Sequence, residues 1–207
     1  MYNFIAIEGC IGAGKSTLTT MLSQHFNCTH QFENFEENPY LENFYKNPTN
    51  HAFPLELFFM AERYKQQKSM IESINLFNSK LISDYAFFKS LVFANITLKE
   101  DELQLFKMLY NIIYPQLKYP DIVLYLYKDI DKLQENIKKR GRNYETAITN
   151  QYLEQLNNEY LHYFKQQNNS TIVILNTNKL DFKANKEDFK LILDILNIKF
   201  NKKLNYL

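Results

Sequence analysis

One stretch limits what this chain can fold into more than any other: Gly9-Cys10-Ile11-Gly12-Ala13-Gly14-Lys15-Ser16-Thr17. A short apolar run, Phe4-Ile5-Ala6-Ile7, leads into it, and a helical pattern over residues 15–26 follows. The spacing G-x-x-x-x-G-K-S belongs to a loop whose backbone N–H groups turn inward onto phosphate oxygens. Lys15 adds positive charge towards the outer phosphates, and the Ser16 hydroxyl can ligate Mg²⁺. The helix that begins here points the positive end of its dipole at the same anions. A tight glycine turn without a nucleotide is the plainer alternative, but strand before and helix after argue against it. Residues 9–17 are therefore read as a nucleotide-phosphate site, with Cys10 a small residue that fits the loop rather than a redox group.

Such a loop needs a sheet to carry it. Further strands are expected over 29–33, 80–84, 121–126 and 171–175, each a short run bounded by polar residues. Helical patterns separate them: 51–74, with Pro54 in its first turn, then 85–94, 100–117, 130–139, 149–167 and 186–198. A shorter helix is expected around Leu41, Phe44 and Tyr45. Continuous apolar strands alternating with helices predict an α/β fold, a five-stranded parallel sheet with helices on both faces. In that architecture ligands collect at the carboxyl ends of the strands, where the phosphate loop, Glu33 and Asp84 all fall.

The 207 residues suit one domain, 1–207, and are short for two. A net charge of +1 argues against a surface that coats nucleic acid. Cys10 and Cys28 offer neither a disulfide framework nor metal spacing. No apolar run approaches the ~18 residues of a membrane span, and no signal segment opens the chain. A soluble cytoplasmic protein is expected, with no membrane partner.

Which phosphate chemistry the loop serves depends on the rest of the sheet edge. The chain has no apolar strand ending in Asp-Glu. Isolated carboxylates end two strands instead, and Arg140-Gly141-Arg142 lies downstream. Together with Glu33-Asn34-Phe35-Glu36-Glu37-Asn38-Pro39-Tyr40, Phe44-Tyr45-Lys46, residues 53–66, Ser83-Asp84-Tyr85 and Leu180-Asp181-Phe182, these residues resemble the deoxyribonucleoside kinases. The resemblance is greatest to their bacterial deoxyguanosine/deoxyadenosine kinase branch and runs nearly end to end.

The resemblance implies a P-loop kinase fold with a short lid at about 136–147, a homodimer, ATP as phosphate donor and Mg²⁺ as its partner ion. It implies that Glu33 is the general base on the sugar 5′-OH, although Asn34 stands where the family has Pro; Glu36 and Glu37 are rival candidates. Asp84 would hold Mg²⁺ through water, alongside Ser16; capping the next helix is its plainer alternative. The family's following arginine is Tyr85 here. Arg140 and Arg142 would be lid arginines that join Lys15 in stabilising the transferring phosphoryl group, while a further lid arginine is replaced by Asn136, with Lys138 or Lys139 as possible substitutes. Tyr45 and Glu145 match the pair that grips the 3′-OH. Asp181 and Phe182 fall where the donor adenine lies.

The base-reading position carries Glu56, where many relatives have Gln. A carboxylate only accepts hydrogen bonds, so it suits guanine, whose N1–H and N2–H₂ are adjacent donors. Arg63, two helical turns on, could donate to guanine O6 and N7; an ion pair between Glu56 and Arg63 is the alternative. Phe35, Phe58 and Phe87 are candidate walls for the base, with Phe87 preferred. The expectation is a deoxyguanosine kinase. Deoxyadenosine or broader specificity, a thymidylate-type monophosphate kinase and a non-catalytic nucleotide-binding protein remain as alternatives.

Overall fold

The computed structural model describes residues 2–34, 38–77 and 80–207. Its centre is a six-stranded, wholly parallel sheet in the order β2-β3-β1-β4-β5-β6. The strands are β1 (Phe4–Glu8), β2 (Thr29–Gln31), β3 (Leu81–Ser83), β4 (Ile122–Tyr127), β5 (Thr171–Asn176) and β6 (Leu204–Tyr206). β1 and β3 are buried along their whole length, as continuous apolar runs require when helices cover both faces of a sheet. Ile5 pairs with Ile82 on one side and Ile122 on the other, so β1 delivers the phosphate loop to the middle of the carboxyl edge.

The sixth strand corrects the expectation of five. Leu207 donates to the Ile174 carbonyl at 2.9 Å and accepts from the Asn176 N–H at 2.9 Å, zipping the chain end onto β5. Leu204-Asn205-Tyr206 has no apolar run of its own. It becomes a strand because β5 offers an open edge, which is not a local property of the sequence.

Eight helices flank the sheet among the described residues: α1 (Lys15–Phe26), α2 (Leu41–Lys46), α3 (Pro48–Phe77), α4 (Lys89–Thr97), α5 (Glu100–Ile113), α6 (Ile130–Arg140), α7 (Asn150–Gln166) and α8 (Lys186–Asn197). Leu18 and Leu22 of α1, Leu153, Leu156 and Tyr160 of α7, and Ile192 and Ile195 of α8 join the sheet in the main core. A second core lies among the helices, where Phe44, Leu55, Phe59, Phe106 and Tyr110 meet.

Three helix boundaries differ from expectation. α3 starts earlier, at Pro48, which places Pro54 inside the helix. α5 stops at Ile113 because Pro115 cannot continue it, and Tyr114–Gln116 forms a 3₁₀ turn. α4 starts at Lys89 rather than at 85 because residues 85–88 form a turn tied to the sheet. The buried Glu8 carboxylate accepts the Ala86 N–H at 2.7 Å and the Tyr160 hydroxyl at 2.9 Å, while the Ser83 hydroxyl donates to the Tyr85 carbonyl at 2.5 Å.

Candidate active site

The phosphate loop is shaped by its glycines and by what lies beneath them. Gly12 has φ +85°, and a side chain there would meet the Leu133 carbonyl of α6 at 2.7 Å. Lys15 curls back over the loop, its ammonium donating to the Gly9 and Cys10 carbonyls at 2.9 and 3.1 Å. Burial, then repulsion from Lys89, pushes its pKa down. Cys10 faces the core beside the Tyr125 hydroxyl, 3.6 Å away, and burial pushes its thiol up to about 11, consistent with a packing residue.

Asp84 follows β3 directly. Its carboxylate accepts the Ser16 hydroxyl at 2.6 Å and the Glu33 N–H at 2.8 Å. It caps no helix, since α4 begins five residues later. The hydroxyl–carboxylate pair is the hard oxygen set that Mg²⁺ takes beside phosphate oxygens and water. No cluster of three His, Cys, Asp or Glu forms a separate metal site among the described residues.

Glu33 lies beyond the end of β2, in a loop, clamped between two cations. Arg63 of α3 donates through Nε at 2.8 Å and lies 2.6 Å from the same oxygen through Nη2. Lys89 of α4 takes the other carboxylate oxygen. Burial alone would raise the Glu33 pKa, but Lys89 and Arg63 outweigh it and hold it at about 2. Lys89 was not anticipated. Its only signal was a single charge in a segment of apolar residues and one serine, Phe87-Phe88-Lys89-Ser90-Leu91-Val92. The rival bases Glu36 and Glu37, and the candidate wall Phe35, lie outside the described residues.

One cavity collects Lys15, Ser16, Glu33, Tyr45, Glu56, Arg63, Asp84, Lys89, Arg140, Arg142 and Glu145. Glu56 is buried at its far wall. One of its oxygens lies 3.1 Å from the Thr97 hydroxyl and the other has no partner among the described residues. Burial raises its pKa to about 7 against the opposing pull of Arg63. Arg63 is committed to Glu33 and to the Ser90 hydroxyl at 2.8 Å, not to Glu56. The apolar walls come from Phe44, Leu55, Phe59 and Phe93. This corrects Phe58 and Phe87. Phe87 is buried elsewhere, stacked on Tyr110 and Tyr114 with centroids 5.6 and 5.7 Å apart, because the turn after Asp84 directs it into the helical core.

Gly141, at φ +71°, ends α6. A 3₁₀ turn, Asn143–Ala147, then brings Glu145 back over the cavity. Arg140 grips Glu145 with a fork, Nε at 3.0 Å and Nη2 at 2.5 Å, and Arg142 reaches it at 3.4 Å. Tyr45 lies on the same cavity and stacks on Tyr144, 6.2 Å between centroids.

On the far side of the phosphate loop a second cavity of about 720 Å³ is lined by residues 12–17, Arg140, Arg142, Asp181 and Phe182. Lys128, Lys132 and Lys139 add positive charge to it. Phe182 packs against Gly14, and the Asp181 carboxylate accepts the Lys183 and Ala184 N–H groups at 3.2 and 3.0 Å. Asn136 donates to the Gly12 carbonyl at 2.8 Å, bracing the loop rather than presenting charge. Gly9 and Cys10 line neither cavity, and Ile11 lines the Glu33 side.

Two cavities that meet at a phosphate loop, one basic and one holding buried carboxylates, define a phosphotransferase of the P-loop α/β class. Residues 5–200 match the family model described as Deoxynucleoside kinase. The chain belongs to the deoxynucleoside kinase family, enzymes that phosphorylate deoxynucleosides. It is 39% identical to the deoxyguanosine kinase of Bacillus subtilis over 91% of this chain and 93% of that protein. The deoxyadenosine/deoxycytidine kinase of the same organism is 26% identical over 93% of this chain and 90% of its own length. Among solved structures, deoxyadenosine kinase from M. mycoides with bound dATP superposes with a TM-score of 0.80 at 29% identity, covering 94% of this chain and 99% of that one.

Proposed function

We propose that this chain transfers the γ-phosphoryl group of ATP to the 5′-hydroxyl of a purine deoxynucleoside, with deoxyguanosine the preferred acceptor. The observation that carries this reading is Glu56, a buried carboxylate with an unpartnered oxygen in the cavity that also holds Glu33. Adjacent N1–H and N2–H₂ donors satisfy such a carboxylate, and a buried acceptor left unmet is costly. The nucleoside would lie with its base at Glu56, its 3′-OH between Tyr45 and Glu145, and its 5′-OH at Glu33. ATP would lie across the phosphate loop, with its adenine towards Asp181 and Phe182.

Glu33 is held ionised, so it can accept the hydroxyl proton throughout the working pH range. Its low basicity suits a loose transition state, in which the nucleophile loses its proton late. Lys15, Arg140 and Arg142 would offset the charge that spreads over the phosphoryl oxygens. Ser16 and Asp84, the latter through water, are the residues to hold Mg²⁺, which when bound neutralises charge between the outer phosphates. The chain is read as one domain with a lid at about 136–147, acting as a cytoplasmic homodimer. The dimer is supported by an exposed apolar stripe on α5, Leu105, Met108 and Ile112.

The test is phosphate transfer from ATP with Mg²⁺ to each of the four deoxynucleosides. Deoxyguanosine should give the highest kcat/KM, and Glu33→Gln should lower kcat by about 10²–10⁴-fold. Unchanged turnover in that variant, or a pyrimidine as best acceptor, would overturn the reading.

A further inference from the structure

The carboxyl group at the base end of the cavity has surroundings that tolerate two charge states. Glu56 is 1% exposed. Among the described groups its one hydrogen-bond partner is the Thr97 hydroxyl, 3.1 Å from Oε1, and that hydroxyl also lies 2.9 Å from the Phe93 carbonyl. A hydroxyl carries one proton and two lone pairs. Given to Oε1, the hydroxyl proton satisfies a carboxylate oxygen and equally the carbonyl oxygen of a neutral acid, whose own proton then sits on Oε2. Oε2 has no partner among the described residues and is left for a ligand.

The charged and titratable groups facing Glu56 come from each neighbouring element. They are Arg63 on its own helix, Glu33 from the loop after β2, Lys89 of α4, Tyr45 of α2 and Tyr152 of α7. Arg63 and Lys89 are both turned to Glu33. Burial pushes both tyrosines well above neutrality, so they stay uncharged. No ion pair therefore fixes Glu56 as an anion, and its position near neutrality, at about 7, follows from burial opposed by Arg63.

We propose that Glu56 selects between the two purines by its protonation state, the carboxylate taking guanine and the neutral acid taking adenine. Guanine presents two adjacent donors, N1–H and N2–H₂, and a carboxylate accepts both. Adenine presents the acceptor N1 beside the donor N6–H₂. A protonated Glu56 donates from Oε2 to that N1 and accepts the amino group on Oε1, as an amide side chain would. The proton is taken from solvent before adenine binds and is not consumed in phosphoryl transfer. The inference rests on the purine deoxynucleoside reading above.

The consequence has a fixed slope. If deoxyguanosine is used only by the ionised form and deoxyadenosine only by the neutral one, the ratio of their kcat/KM values rises tenfold per pH unit, whatever the pKa of Glu56. Every group shared by the two reactions, Glu33 and the phosphates included, cancels in the ratio.

The experiment measures both kcat/KM values with ATP and Mg²⁺ from about pH 6 to about pH 8. The ratio of deoxyguanosine to deoxyadenosine should climb about 100-fold over that span. In Glu56→Gln the ratio should be flat and shifted towards deoxyadenosine. A flat ratio in the unmodified protein overturns the proposal without reference to any variant, as does a slope that persists in Glu56→Gln. If neither purine is phosphorylated at any pH, the purine reading itself has failed. If both are phosphorylated at a constant ratio, only the selection by protonation state has failed.

Discussion

At the scale of single residues, the site is governed by how few groups neutralise its buried charges. Glu33 is 13% exposed at its side chain and depends on Lys89 and Arg63, at 7% and 2%. Its pKa falls from 4.5 to about 2 on folding, so its ionised form adds stability that is fully present above about pH 4.5 and is lost as pH falls towards 2. The size is about 3 kcal/mol. Lys89→Met should remove about 2 kcal/mol at pH 7, because Arg63 remains to hold the anion. Urea unfolding of both proteins at neutral pH and near pH 3 is the check: the gap between them should narrow on acidification, because below about pH 4.5 the unfolded chain takes up a proton on Glu33 that the folded form resists. Glu8 has the opposite character. Burial raises its pKa, and its two hydrogen bonds tie the turn after Asp84 and Tyr160 of α7 to β1.

At the scale of elements, the segment after α6 and the edge strand make separable predictions. The space left in the Glu33 cavity is about 100 Å³, below the roughly 300–1,000 Å³ of most ligand sites. Arg140, Arg142 and Glu145 occupy much of its mouth by pairing with one another. A nucleoside that draws Glu145 to its 3′-OH would free Arg140 for the phosphoryl group. Arg140→Ala should therefore lower kcat by about 10³-fold, with a smaller change in nucleoside KM, measured by steady-state kinetics. β6 lies across the sheet from Glu33. Truncation before Leu204 should leave kcat/KM near its original value while lowering Tm by about 3–6 °C, since a lost short edge strand amounts to a kcal/mol or two in a chain of this size.

At the scale of the whole molecule, α5 carries an exposed apolar stripe. Met108 and Ile112 are each 63% exposed and Leu105 is 47% exposed, at helical spacing, while Phe106 and Tyr110 of the same helix are buried inside. If this stripe closes a homodimer, sedimentation should give twice the chain mass, and Ile112→Glu should shift the population to monomer. A single-chain mass for the unmodified protein would remove that assignment. Among the described residues no helix is long and apolar enough to cross a membrane, so the apolar stripe has no counterpart in a spanning segment.

The sequence alone determined what depends on order along the chain. Glycine spacing at 9, 12 and 14 gave the phosphate loop, because a backbone cradle is a local object. Continuous apolar runs gave the parallel sheet and put Glu33 and Asp84 at its carboxyl edge, whereas Glu56 and Arg140 were reached through the resemblance to the deoxyribonucleoside kinases. Tertiary structure decided whatever depends on which side chains meet across elements. It turned Arg63 from Glu56 to Glu33, brought Lys89 to the same carboxylate, sent Phe87 into the helical core in favour of Phe59 and Phe93, and made a strand of residues 204–206. The physical reason is common to all four. Local patterning reports the conformation a segment prefers, whereas a buried charge takes the nearest counter-charge and an open sheet edge takes whatever backbone reaches it. Those partners lie from 30 residues away, for Arg63 and Glu33, to 56, for Lys89 and Glu33.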